Sequence, residues 1–320
     1  MIGITGATGF VGRALTAWAE LNKTQVRPLL RNELGDLGQE PINSVIFQGC
    51  TAIIHAAARA HRMNDHGLAA LAAYRQANVA GTQAIITAME KIGVRRLVYV
   101  SSIKAIGERS YRGNVLSPKD PRHPEDCYGM SKAEAEDVVT AAHIAGRIEA
   151  VIVRPVLVHG PGAKGNLERL MQAVLNERRL PFGCVQNRRS LVGISNLTDA
   201  LITAATKSLP SRINTKDNKI ISLAYHIADD GVISTRRLVE VLAEGMGVRP
   251  RFINVPRWLA VGGATLLGKG AMARRIFDDL EVDASAFTND TGWQPKKSLE
   301  DGLREMAVAY AQQHRVGGFA

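Results

Sequence analysis

Between Ile2 and Leu21 a short β-type run, Met1-Ile2-Gly3-Ile4-Thr5, enters a turn with three glycines spaced three apart, and a helix-forming stretch follows. That order, strand then glycine turn then helix, is the setting a dinucleotide-binding turn requires. Gly6 permits the tight turn, Gly9 lets the backbone approach a pyrophosphate, and Gly12 allows close packing of the helix. The helix N-terminus then presents free N–H groups and a positive dipole end. The spacing is G-x-x-G-x-x-G, not the G-x-G-x-x-G of the older fingerprint.

Such a turn predicts strands alternating with helices, and the chain supplies them. Thr24–Leu30, Ala52–His55, Arg96–Ser102 and Glu149–Arg154 read as strands, with helices at about Leu68–Lys91 and from Tyr128. The fold class expected is α/β, a doubly wound parallel sheet with helices on both faces, whose ligand crevice lies at the strands' carboxyl ends. Gly6–Gly12, His55–Ala58, Ser101–Ser102, Tyr128 and Arg154–Pro155 all fall on that edge. The dinucleotide-binding part is expected over 1–155, with 190–228 returning to it. The segments 156–189 and 229–320 are expected to form a smaller mixed α/β lobe for the substrate. About twenty residues separate the second strand from Ala52, and they would have to hold a crossover, another strand and a short helix around Ile42–Phe47, where a parallel crossover usually takes a dozen or more by itself. Either this lobe is pared down or residues are absent. The expectation is that residues are missing from the chain after Arg31.

Charge and composition narrow the partners. A net charge of +10 invites a nucleic-acid reading, but the basic residues are scattered or in short pairs and aromatics are only 5% of the chain, too few for stacking platforms. An anionic small molecule accounts for the charge equally well. Cys50, Cys127 and Cys184 are far apart, in no metal spacing, and read as reduced thiols of a cytosolic protein. His61, His66 and His123 show no ligand pattern, so no metal is expected. No apolar run is long enough to span a bilayer, and no stable membrane insertion is expected.

The chemistry centres on Tyr128-Gly129-Met130-Ser131-Lys132. Four residues apart on a helix, the two side chains share one face. A phenol has a pKa of roughly 10, and a nearby ammonium lowers it enough for proton exchange with a substrate oxygen. Arg31 stands just past the second strand, where an acidic residue would hold the ribose hydroxyls of NAD. An arginine there suits a 2′-phosphate and favours NADP(H), while Glu33 and Asp36 keep NAD(H) open.

Together Gly6-x-x-Gly9-Phe10-x-Gly12, His55-x-Ala57-Ala58, Asn78-x-x-Gly81-Thr82, Ser101-Ser102, Tyr128-x-x-x-Lys132, Arg154-Pro155 and Gly292-Trp293-x-Pro295 resemble the extended short-chain dehydrogenase/reductase family, which contains nucleotide-sugar epimerases, dehydratases and reductases. The resemblance implies Tyr128 as proton donor or acceptor, Lys132 as holder of the nicotinamide ribose, and Ser102 as partner of the reacting sugar oxygen. It implies cofactor contacts at Gly6, Thr8, Gly9, Phe10, Val11, Arg31, Asp36, Leu37, His55, Ala56, Ala57, Asn78, Tyr128, Lys132 and Pro155. Substrate contacts are implied at Ser102, Lys104, Tyr128, Asn166, Leu167, Arg189 and Arg274 or Arg275, the arginines gripping a UDP diphosphate.

In the 4,6-dehydratase branch an Asp-Glu pair follows the strand-end hydroxyl; here Ile103-Lys104-Ala105 follows Ser102. Two readings remain, a 4-keto reductase and a C4 epimerase. The segments around Ser102, Tyr128 and Asn187–Val192 are similar to bacterial UDP-4-keto-6-deoxy-N-acetylhexosamine reductases of surface polysaccharide synthesis, which favours the reductase. A non-catalytic nucleotide sensor of the same fold would carry a broken Ser/Tyr/Lys set, and this one is intact. The resemblance further implies a bacterial cytoplasmic homodimer pairing through helices near residues 70–90 and 128–145. For the greasy and basic Trp258–Arg275 segment, core packing is the ordinary explanation. Contact with the inner membrane, and a lipid-linked sugar, is the other.

Overall fold

The structure is a computed structural model, and it describes residues 1–60, 65, 67–110, 114–210, 213–214, 219–220, 223–266, 270 and 276–316. β1 (Ile2–Thr5) leads through the glycine turn to α1 (Phe10–Leu21), then to β2 (Val26–Leu29) and the single turn α2 (Arg31–Leu34). After β3 (Ala52–His55), α3 (Gly67–Tyr74) passes through a π-type turn (Arg75–Ala80) into α4 (Gly81–Ile92). β4 (Arg96–Val100), α5 (Cys127–Ile144) and β5 (Glu149–Pro155) complete the alternation. The later half holds β6 (Leu157–His159), α6 (Asn166–Leu175), β7 (Arg179–Leu180), β8 (Leu191–Gly193) and α7 (Ile194–Thr206). It continues through β9 (Ile213–Asn214), β10 (Lys219–Ile220), β11 (Ala224–Ile227), α8 (Thr235–Met246), β12 (Arg251–Phe252) and α9 (Arg257–Leu266). The last helices are α10 (Ser285–Thr291) and α11 (Leu299–Val316).

Six strands form one parallel sheet in the order β11-β5-β4-β3-β1-β2. Successive side chains on a strand face opposite ways, and here both sets are apolar, as a sheet covered on both faces requires. Ile4, Ile54, Val98 and Val153 pack on one face against Leu15 of α1 and Leu201 of α7. Ile53, Leu97, Tyr99 and Ile152 pack on the other against Ile85 and Met89 of α4 and Val139 of α5. This is the doubly wound α/β fold that the sequence predicts. A third core, with Met171 of α6, Leu242 of α8 and Leu303 and Met306 of α11, builds the smaller lobe.

The β2–β3 connection departs from expectation. The chain runs through it without a break, as α2, a loop and a 3₁₀ turn at Ser44–Phe47, and contains no further strand. Among the described residues β2 pairs only with β1 and is the outer edge of the sheet. Pro28 lies within β2 opposite Ile4; a residue without an N–H is tolerated on an edge and not inside a sheet. The lobe is pared down, and the connection works because Asn43 caps the 3₁₀ turn and buried Phe47 anchors it under the sheet.

β1, β3, β4 and β5 are parallel neighbours, so their carboxyl ends lie along one edge of the sheet, and α5 packs against the turn that follows β4. Among the described residues no helix is long and apolar enough to cross a membrane.

Candidate active site

The glycine turn is fixed by its neighbours. Gly6 has φ +71°, and a Cβ there would lie 2.6 Å from the backbone nitrogen of Ala57. A Cβ on Gly12 would lie 2.1 Å from the Gly6 carbonyl oxygen, so the helix reaches the turn only through glycine. α1 begins at Phe10 without a side-chain cap on Gly9, which leaves its first N–H groups directed at the crevice edge. A narrow glycine cradle ending in uncapped helix N–H groups fits a dinucleotide pyrophosphate. Thr8 lends its carbonyl to Arg13 (3.1 Å). Phe10 packs on the core of the smaller lobe and Val11 on the sheet core, so those two side chains tie the turn to both lobes.

Arg31 stands at the start of α2, with its side chain 83% exposed, and pairs with Asp36 (Nε to Oδ1, 2.7 Å). Glu33 accepts from the Leu30 N–H (3.0 Å) and so closes the turn. Leu37 lies against Gly81, where a Cβ would come within 2.9 Å of the Leu37 Cβ. This lays the 36–38 loop on the start of α4.

The side chains of His55 and Asn78 are held by partners within the protein. His55 is buried, with Nδ1 2.7 Å from Thr5 Oγ1 and Nε2 3.1 Å from Thr82 Oγ1. Burial, aided by the Lys132 charge, pushes its pKa down to about 3, so the ring is neutral. With both ring nitrogens engaged, the His55 ring joins β1 to α4. Asn78, in the π-type turn, accepts from the Arg59 N–H (2.7 Å) and donates to Ser131 Oγ (2.9 Å). It clamps the loop after Ala57 to α5. Ala56 and Ala57 form the floor under Gly6, and Pro155 is the buried end of β5.

Ser102, Tyr128 and Lys132 converge where β4 meets α5. Ser101 and Ser102 follow strand alternation to opposite sides. Ser101 turns inward to Glu136 (2.5 Å), while Ser102 caps the turn Ile103–Ala105 by accepting from the Lys104 N–H (3.2 Å) and hydrogen-bonds Tyr128. Tyr128 packs edge-on against Tyr74, ring centroids 6.0 Å apart. Burial pushes the Tyr128 phenol up to about 12, with the Asp126 charge adding to the rise and the Ser102 hydrogen bond opposing it. Lys132, 3% exposed, donates to the Val100 carbonyl (2.8 Å) and to Tyr99 Oη (3.2 Å). Burial pulls its pKa down to about 7. The expected depression of the phenol by the ammonium is thus not present: the lysine shares the helix face but is spent on the end of β4.

A second arrangement was not foreseen. Asp126 is the N-cap of α5, accepting from the Gly129 N–H through Oδ1 (2.7 Å), and its Oδ2 holds Lys104 Nζ (2.6 Å). Glu108 holds the same ammonium from the other side (3.0 Å). Gly129 lies so close that a Cβ would come within 2.5 Å of the Lys104 carbonyl oxygen. Lys104, expected on substrate, therefore pins the Ser102 turn onto the first turn of α5. The signal for Asp126 was in the sequence, an acidic residue just ahead of a helix. Buried Glu136 also escaped notice; it pairs with Arg154 through two contacts (2.9 and 2.6 Å) behind Ser101.

The substrate side is partly assembled. Arg189 bridges to Ile233 and Leu280 through its backbone, and its Nη1 donates to the Asp278 carbonyl (3.2 Å). Burial lowers its pKa, against the pull of Glu108, Asp278 and Asp279. Asn166 is exposed at the start of α6, whereas the Leu167 side chain is buried in the core of the smaller lobe. Arg274 and Arg275 lie outside the described residues.

Comparison with known proteins agrees with this architecture. The model of the family described as NAD dependent epimerase/dehydratase matches residues 2–215. A UDP-glucose 4-epimerase of Vibrio cholerae is 34% identical, covering 97% of this chain and 95% of its own. Among solved structures, the UDP-glucose 4-epimerase of Thermotoga maritima with UDP-glucose superposes with a TM-score of 0.74 at 20% identity, over 98% of this chain and 99% of that one. RMD of Pseudomonas aeruginosa complexed with NADPH superposes at 0.75 and 19% identity, over 97% and 99%. A glycine cradle at β1, a Ser/Tyr/Lys convergence at β4 and α5, and these matches place the chain in the NAD dependent epimerase/dehydratase family.

Proposed function

We propose that this nucleotide-sugar enzyme reduces the 4-keto group of a UDP-4-keto-6-deoxy-N-acetylhexosamine. The observation that carries the reading is the pairing of Tyr128 with Ser102 at the end of β4, with Lys132 held on Val100. The Tyr128 phenol is pushed up to about 12 and bonded to Ser102, and the lysine that would draw off its proton is engaged on Val100. A protonated phenol is what ketone reduction asks of the protein.

A bound nicotinamide dinucleotide supplies the hydride that goes to the sugar carbon. The Ser102 hydroxyl and the Tyr128 phenol then hold the carbonyl oxygen, and Tyr128 gives it the proton as it becomes a hydroxyl. Lys132, freed from Val100, would take the ribose and set the phenol for reprotonation. Elimination of water has no residues here, because Ile103 and Lys104 follow Ser102 and the Lys104 ammonium is held by two carboxylates.

The adenosine end supports a cofactor that leaves after each turnover. β2 is the outer edge of the sheet and Arg31 is largely exposed; an open rim suits exchange, and Arg31 favours NADP(H). The second reading, a C4 epimerase that retains NAD, is favoured by the Vibrio cholerae relative. We place the enzyme in the cytoplasm as a homodimer serving surface polysaccharide synthesis.

The keto sugar nucleotide, mixed with NADPH or NADH and followed at the nicotinamide absorbance, tests the choice. Cofactor oxidation matching sugar consumed supports reduction. Interconversion of UDP-hexoses or UDP-N-acetylhexosamines with no net oxidation would replace it with epimerisation.

A further inference from the structure

Glu108 stands between two parts of the site. Its side chain is 6% exposed, and Oε1 holds the Lys104 ammonium at 3.0 Å. The same ammonium lies 2.6 Å from Asp126, whose other oxygen caps α5 two residues ahead of Tyr128. A carboxylate taken out of water calls for cations to compensate it. Lys104 is one, and it is shared with Asp126. Arg189 is placed to be a second.

Residues 278–283 form the strap that brings them together. Ser110, two residues past Glu108, donates its N–H to the Asp279 carbonyl (2.8 Å) and accepts from the Glu281 N–H through Oγ (3.0 Å). On the other side the Leu280 carbonyl accepts from the Ser190 N–H and the Leu280 N–H donates to the Arg188 carbonyl, both at 2.8 Å. The chain on either side of Arg189 is thus sewn to the same strap as Ser110. Arg189 itself is half-buried, with Nη1 on the Asp278 carbonyl (3.2 Å). Burial lowers its pKa, and among the charges that oppose the fall Glu108 comes first, then Asp278 and Asp279.

We propose that Glu108 is a positioning residue shared by both ends of the site. It holds Lys104, and so keeps the Ser102 turn against the first turn of α5, and its charge attends Arg189 until a sugar-nucleotide phosphate arrives there. The arriving anion takes Arg189 against the repulsion of Glu108. Alignment of Ser102 with Tyr128 is thereby gained at the expense of binding strength. Without the charge, Arg189 meets a phosphate more readily, while Lys104 is left to Asp126 alone and the Ser102 turn loosens. Binding and turnover move in opposite directions, which a role in folding alone does not produce. The inference rests on the expectation that Arg189 meets the UDP diphosphate, and it holds for reduction and epimerisation alike.

The test uses the full chain. UDP binding is read by titration calorimetry, and turnover with the UDP-4-keto-6-deoxy-N-acetylhexosamine, or with UDP-glucose should the wild type epimerise instead. Glu108→Gln keeps the shape of the side chain and removes its charge. It is expected to bind UDP about threefold to tenfold more tightly and to have a kcat roughly tenfold lower. Lys104→Gln leaves Glu108 to Arg189 alone, and is expected to slow turnover without tightening UDP. Arg189→Ala is expected to weaken UDP binding roughly tenfold. If Arg189→Ala binds UDP as the wild type does, the diphosphate expectation fails and the inference falls with it. If Arg189→Ala weakens UDP while Glu108→Gln fails to tighten it, or leaves kcat unchanged, the inference alone is overturned. Should Glu108→Gln not fold, Lys104→Gln decides: tighter UDP binding or an unchanged kcat overturns the inference, and slower turnover with UDP bound no more tightly supports it.

Discussion

The Lys132 ammonium lies 2.8 Å from the carbonyl oxygen of Val100, at the last residue of β4. The buried amine is held by the strand end and by Tyr99, with its pKa pulled down to about 7. That value lies below the roughly 10.4 of an unfolded lysine. Between the two the unfolded chain binds more protons, so stability rises with pH across that window, and the charge is a liability throughout the range below it. Lys132→Met is expected to stabilise the cofactor-free protein at pH 6 by about 1–3 kcal/mol, and by less at pH 9. Melting curves at the two pH values check this. A variant less stable at pH 6 and unchanged at pH 9 contradicts it.

Asp126 acts on Tyr128 from two residues away. In Asp126→Asn the amide oxygen keeps the cap on Gly129, but the charge that raises the phenol is gone. The alkaline limb of kcat/KM against pH should move to lower pH, and kcat should fall as Lys104 loosens the Ser102 turn. A stability loss of no more than about 1 kcal/mol is expected from loss of the Lys104–Asp126 ion pair. A purely structural role would lower the whole profile without moving it.

Glu136 and Arg154 are buried and doubly bonded, at 2% and 5% exposure. Removing one partner of such a pair leaves an uncompensated charge, so Glu136→Gln should cost about 3–5 kcal/mol in urea unfolding. Asp137, one residue on, pairs with Arg122 at 62% side-chain exposure. Asp137→Asn should cost no more than about 1 kcal/mol. Equal costs would mean that Glu136 is not the buried anchor of the strand end.

Cofactor choice is expected to follow the Arg31–Asp36 pair. Arg31→Ala should lower kcat/KM for NADPH roughly tenfold relative to NADH, by loss of one charged phosphate contact. Asp36→Asn frees the guanidinium and should shift the ratio the other way. Steady-state kinetics with both cofactors decide it; unchanged ratios in both variants would place the adenosine phosphate elsewhere.

Much of this was legible in the chain because local and global signals coincide. Gly6, Gly9 and Gly12 demanded a strand before them and a helix after, and the sheet followed from repeating that unit. Tyr128 and Lys132 were paired by their spacing, which records a shared helix face, and Ser102 joined them through the family resemblance. Spacing does not record where a long side chain ends, so the hold of Val100 on Lys132 was invisible, as was the hold of Asp126 and Glu108 on Lys104. The partners of the His55 ring were hidden for a similar reason. A histidine at a strand end faces the crevice or the sheet according to partners such as Thr5 and Thr82, which are distant in sequence. The short β2–β3 connection suggested missing residues only because a further strand was assumed; Pro28 already marked β2 as an edge.

In the proposed reaction Tyr128 donates a proton while an exchangeable cofactor would deliver hydride to the sugar's C4. The direct measurement is transfer of deuterium from NADPH or NADH, labelled at the reactive nicotinamide carbon, to the UDP-4-keto-6-deoxy sugar, read by mass spectrometry of the product. The account predicts one deuterium at C4 in nearly every product molecule, and a loss of rate of roughly 10²–10⁴-fold in Tyr128→Phe. Product sugar without deuterium, or Tyr128→Phe transferring it at the wild-type rate, would contradict it.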